Sequence, residues 1–180
     1  MLKLWAAIVL ASGFSLAVPL SAQVLDGSIS AAQRNGEWTS LRLALDKKRY
    51  ARAMVNAPNG NILALDYALA SDCIVPSVSV LIPLEAEAES SVSTPYSGFF
   101  RVDQRPTMAF EGTMSKTTGD NMGILVIERL GDVKGFLLSL TDGRTLRLQI
   151  GEVNSDLTER FSLSGARQAM GRAMEICRGR

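Results

Sequence analysis

Between Trp38 and Leu163 apolar and polar side chains alternate in short runs broken by turn residues. That is the pattern of β-strands that each turn one face to a core. Thr39–Leu45 sets Leu41, Leu43 and Leu45 against Ser40, Arg42 and Ala44, which predicts a half-buried strand. Asp46-Lys47-Lys48-Arg49 reads as a turn, Tyr50–Ala57 as the next strand, and Pro58-Asn59-Gly60 is a firm turn signal. Asn61–Tyr67 returns with Leu63, Leu65 and Tyr67 on one side, although the leucine spacing in Ile62–Ala70 also fits a helix. Ser77–Leu84 alternates again, and Pro83 confines its end to an edge or a bend. Phe99–Val102 and Thr107–Met114 are further short strands, and Ser115–Met122 is a polar loop turning at Gly119-Asp120-Asn121. Gly123–Leu130 carries Ile124, Leu125, Val126 and Ile127 in a row, which predicts burial on both faces. Thr145–Ile150 and Arg160–Leu163 complete the set. Seven or eight such strands predict a mainly β fold, an antiparallel β-sandwich or a partly open barrel.

Two stretches change period. Val133, Phe136, Leu137 and Leu140 stand at helical spacing, Asp132 can cap, and Gly143 can end the turn, which predicts one short helix before the last strands. The rival is a strand closing a hairpin at Asp142-Gly143. At the C-terminus, Ala166, Ala169, Met170, Ala173, Met174, Ile176 and Cys177 fall in one sector at ~100° per residue. Arg167, Gln168, Gly171, Arg172 and Glu175 take the other sector. This predicts an amphipathic helix with Ser164 as N-cap. Its alanines let it lie close against a partner, covering an edge or open end of the strands.

The first residues follow a different rule. Lys3, the apolar Leu4–Val18 and the Leu20-Ser21-Ala22 exit before Gln23 have the order of a signal peptide over residues 1–22. An uncleaved membrane anchor is the alternative, but Gly13 and Pro19 interrupt a run already short for a bilayer span. The polar Asp26–Glu37 reads as part of a flexible lead-in over 23–37, followed by a single β-rich domain over 38–180. The expected location is the periplasm, the outer envelope or the exterior, with a mature form that does not span the membrane. In such a compartment two cysteines are expected to pair, so Cys73 and Cys177 form the predicted disulfide, with two buried thiols as the alternative.

Charge narrows the partners. Lys+Arg is 19 against 18 Asp+Glu; loss of Lys3 with the leader leaves 18 against 18, and a neutral chain argues against nucleic acid as a bulk partner. The charges are unevenly placed. Acids gather between Asp66 and Asp103, including Glu85, Glu87 and Glu89, while arginines such as Arg167, Arg172 and Arg178 gather at the end. These six residues are the candidate partner surface, for lipid head groups or an envelope or host protein; the plainer reading is a set of solvated faces. A calcium site at Glu85–Glu89 lacks the varied oxygen ligands and sharp glycine turn of such loops.

Several chemistries lack their residues. The chain has no histidine, which removes Ser–His–Asp and Cys–His nucleophiles and histidine-ligated zinc. It has no Walker A loop, no G-x-G-x-x-G and no C-x-x-C, so no cofactor or metal is called for. Ser115-Lys116 are chain neighbours and do not face each other as a dyad. A carboxylate pair could still hydrolyse glycosides, but no spacing singles one out. Trp38, Tyr50, Tyr67, Tyr96, Phe99 and Phe100 could line a binding surface or fill the core. The expectation is a non-enzymatic protein acting through surface contacts, with a small ligand-binding or inhibitor domain as the alternative.

Three segments resemble the invasion-associated locus B family of exported alphaproteobacterial proteins. Gly36-Glu37-Trp38 stands where that family tends to have Gly-Asp-Trp. Phe136–Ile150 is similar to its helix–glycine–strand unit, and Arg160–Cys177 to its last strand, alanine-rich helix and late cysteine. Gly151–Glu159 departs from the family's threonine-rich stretch with Arg-Gly-Thr, and Leu41–Asp72 matches only in general character. The resemblance implies a sandwich-like secreted domain with an envelope or host-interaction role, and it maps no catalytic residue.

Overall fold

A computed structural model describes residues 27–45, 48–69, 71–84, 88–151 and 157–179 of the chain. The strands are β1 (Gly27–Asn35), β2 (Trp38–Leu45), β3 (Lys48–Asn56), β4 (Ile62–Ala68), β5 (Ser77–Pro83), β6 (Val92–Val102), β7 (Met108–Lys116) and β8 (Met122–Leu130). Helix α1 (Val133–Asp142) comes next, followed by β9 (Thr145–Ile150), β10 (Leu157–Ser162) and helix α2 (Ala166–Cys177). All pairings are antiparallel, and the ten strands form one sheet in the order β1-β2-β3-β4-β5-β8-β7-β6-β9-β10. The fold is mainly β with a C-terminal helix and one short helix, as the sequence predicts, but it is a single sheet and not a two-sheet sandwich. It is not closed into a barrel. Its two ends nevertheless approach each other: Trp38 donates its indole N–H to the Ser162 carbonyl at 2.8 Å, and Glu37 N–H to Ser164 O at 3.0 Å.

The inner face holds the core. Ala51, Ala53 and Val55 of β3, Leu63, Leu65 and Tyr67 of β4, and Leu146, Leu148 and Ile150 of β9 alternate into it. Phe100 joins the halves, with ring centroids 4.8 Å from Phe110 and 4.9 Å from Phe136. The residues between Val133 and Leu140 form a helix because Asp132 caps it, its carboxylate accepting from Gly135 N–H at 2.9 Å. Phe136 and Leu140 then reach the core with Ser139, and the hairpin alternative is excluded.

Helix α2 lies on the inner face of β1–β4. Ala166, Ala169, Met170, Ala173, Ile176 and Cys177 are its buried residues, matching the predicted stripe, and Met174 packs at its border. The partners beneath it are small: Ser40, Ala51 and Ala53, all fully buried. Small side chains on both surfaces allow the close approach that the alanines predict.

Five local expectations need correction. The N-cap of α2 is Gly165 at φ +92°, not Ser164, whose carbonyl instead receives Glu37 N–H. A Cβ on Gly165 would stand 1.7 Å from Asn35 O, so only glycine lets the helix start against the β1–β2 turn. Residues 27–35, read as lead-in, form β1, whose polar side chains are tolerated because an edge strand needs its backbone ladder more than an apolar face. β6 begins at Val92, well before Phe99, because its exposed first half binds β7 through the backbone. In β8, Val126 is 39% exposed, so the four-residue apolar run is not buried on both faces. Finally, the β2 leucines point away from α2: Leu41 is paired with Arg52 and Leu43 with Tyr50, while Trp38 and Ser40 face the helix. Leu41 and Leu43 are buried on that opposite face.

Candidate functional site

The strongest covalent feature is the Cys73–Cys177 disulfide, with Cα atoms 5.9 Å apart and a sequence separation of 104. It ties the end of α2 to the connection between β4 and β5. Ser71 prepares that connection: its hydroxyl donates to Ala68 O at 2.8 Å and accepts from Cys73 N–H at 3.2 Å. Cys73 adopts φ +59°, which turns its side chain beneath the helix end, and both cysteines are buried. The clamp fixes α2 at one end, and the Gly165 approach fixes it at the other.

The predicted partner residues are distributed over separate places. On α2, Arg167 pairs with Asp142 of α1 at 2.7 Å, Arg172 reaches Ala31 O at 3.4 Å, and Arg178 stands exposed at the helix end. Glu89 is exposed in the connection between β5 and β6; the adjacent Ala88 exchanges backbone hydrogen bonds with the β7–β8 turn at Gly119 and Asp120. Glu85 and Glu87 lie outside the described residues. No hydrogen bond or ion pair among the described residues joins Glu89 to the helix arginines.

The aromatic set divides in the same way. Trp38, Tyr67 and Phe100 are core, Tyr50 and Phe99 are half-buried, and Tyr96 is 40% exposed. Burial pushes the Tyr67 hydroxyl up to about 12, so it remains protonated across the physiological range.

On the outer face, Arg52 holds Asp66 through two hydrogen bonds of 2.7 and 2.8 Å. The pair is nearly buried between Leu41 of β2 and Ser77 of β5, positions that share its row. Elsewhere, an open depression of about 550 Å³ lies where β7, β8 and the start of α1 meet, lined by Ala109, Phe110, Leu130 and Val133. Its charges are mutually engaged: Arg129 pairs with Glu111, and Thr113 donates to Glu128 at 3.0 Å. Among the described residues, no group of three or more His, Cys, Asp or Glu side chains is placed to hold a metal ion, and no helix is long and apolar enough to cross a membrane. No protein-family model, no curated protein and no solved structure matches the chain.

The arrangement provides a clamped scaffold with broad outer surfaces. One feature of those surfaces escapes sequence reasoning, a row formed by Arg101, Arg147 and Arg160, because only strand register brings them together.

Proposed function

We propose that this chain is an exported periplasmic or cell-envelope protein of the invasion-associated locus B type, acting by surface contacts rather than catalysis. The observation that carries the reading is the Cys73–Cys177 bond. A disulfide joining the middle of a chain to its end persists in oxidising compartments and is rare in the cytosol. The leader-like residues 1–22 supply a route to such a compartment.

The segments that carry the family resemblance meet in the fold. Gly36-Glu37-Trp38 meets Arg160–Cys177 directly: Trp38 bonds Ser162 O, Glu37 bonds Ser164 O, and Gly36 (φ +60°) leaves no room for a Cβ beside Ser164. The reading as non-catalytic rests on the sequence, which has no histidine.

Cell fractionation of a Gram-negative host expressing the full chain tests this. The protein should appear in the periplasmic or envelope fraction with its N-terminus near Gln23. Retention of Met1 on cytosolic protein would contradict export. The alternative, a ligand-binding domain, rests on the open depression beside Phe110; a thermal shift with a small molecule, lost on Phe110→Ala, would favour it.

A further inference from the structure

The last strands bring together three arginines that stand far apart in the sequence. Arg101 of β6 lies directly opposite Arg147 of β9, and Arg147 directly opposite Arg160 of β10. The residues alternating with them, Phe100, Val102, Leu146, Leu148 and Phe161, are fully buried, so the arginines occupy the outer face. With neighbouring strands ~4.8 Å apart, the three positions form a row about 10 Å long.

Like charges directly opposite each other destabilise a sheet. Here two such pairs are fused, and no carboxylate among the described residues forms an ion pair with any of the three. The nearby acids are otherwise occupied. Asp103 accepts the backbone N–H groups of Arg144 and Thr145 at 3.0 Å, and Glu159 points into the inner face, where Asn59 donates to it. Arg105 and Arg144 are exposed in the connections at the same end of β6 and β9 and extend the positive field.

We propose that this row is a docking site for the phosphate groups of an anionic lipid bilayer. Guanidinium forks match phosphate oxygens in pairs, and a phosphate between adjacent arginines turns their repulsion into shared attraction. The row runs from β6 across β9 to the edge strand β10, with Arg160 exposed and Arg101 and Arg147 half-buried. A single small anion can bridge only neighbouring positions of a row about 10 Å long, whereas an extended array of head groups can meet all three together. The surface belongs to the folded chain wherever it resides, so the success or failure of this proposal is independent of export.

Vesicle co-sedimentation with the oxidised full chain tests it, comparing phosphatidylcholine vesicles with vesicles containing about one-third phosphatidylglycerol. The ratio of the two affinities cancels any apolar contribution of the leader. Binding should favour the anionic vesicles and weaken with salt. Arg101→Gln, Arg147→Gln and Arg160→Gln should each reduce that ratio about fivefold, and the triple variant roughly a hundredfold. Arg129→Gln, the same charge change outside the row, should leave it unchanged. Melting of the triple variant should occur at or above the wild-type temperature, because a repulsion has been removed. Equal binding to both vesicle types, an unaffected triple variant, or a triple variant of lowered stability would overturn the proposal. Tighter binding of inorganic tripolyphosphate than of anionic vesicles would assign the row to a soluble anion and overturn the bilayer assignment.

Discussion

At the residue scale, Tyr67 and Trp38 show how single polar atoms are accommodated in an apolar interior. Tyr67 is buried on β4, and its hydroxyl is raised from 10 to about 12 by desolvation. The unfolded chain therefore loses this proton first. Its contribution is complete below pH 10 and disappears as pH rises toward 12, up to about 2–3 kcal/mol. Denaturant titrations between pH 9 and 12 should show that falling limb, and Tyr67→Phe should flatten it. Trp38 illustrates the converse, a buried donor with a defined acceptor at Ser162 O. Trp38→Phe keeps an aromatic ring but leaves that carbonyl without the indole partner. It should cost about 1–3 kcal/mol in chemical unfolding.

The element scale shows what could be read from sequence and what could not. The buried stripe of α2 and the Asp132-capped α1 were legible because a helix brings residues three and four apart together, and these short separations are visible in a linear text. β2 was legible as a strand but misleading about its faces. Leu41, Leu43 and Leu45 suggest the core side, yet the helix requires Ser40 and Trp38 there. A polar residue faces the helix because the space between α2 and the sheet is set by small side chains, a property of two distant elements together. The first strand was missed for a related reason: Gly27–Asn35 has no apolar alternation, and its place is set by backbone pairing to β2, a non-periodic signal. Two variants examine this packing. Ala173→Leu forces a larger side chain into the contact between α2 and the sheet and should cost about 1–3 kcal/mol, measured by thermal or urea unfolding. Gly165→Ala combines positive φ with contact against Asn35 O and should destabilise by at least ~2 kcal/mol.

At the scale of the whole molecule, the fold is an open antiparallel sheet whose ends meet at Trp38–Ser162 and Glu37–Ser164, with its C-terminal helix tied covalently to the β4–β5 connection. The disulfide was legible from only two cysteines and a leader-like start, without knowledge of the topology. The arginine row was not, since it depends on register among strands separated by long stretches of chain. Closing a loop of this length restricts the unfolded chain by about 4–5 kcal/mol in the loop-entropy description. Cys73→Ser combined with Cys177→Ser should lower stability by that order in urea unfolding. It should also increase amide exchange first at the C-terminal end of α2, because Gly165 still anchors the start of the helix.

The most direct test of a covalently clamped sheet is non-reducing peptide mapping of the chain expressed in cells, with thiols trapped before lysis. The account predicts a Cys73–Cys177 cross-linked peptide and no alkylated cysteine. Two freely alkylated thiols in protein from intact cells would contradict it.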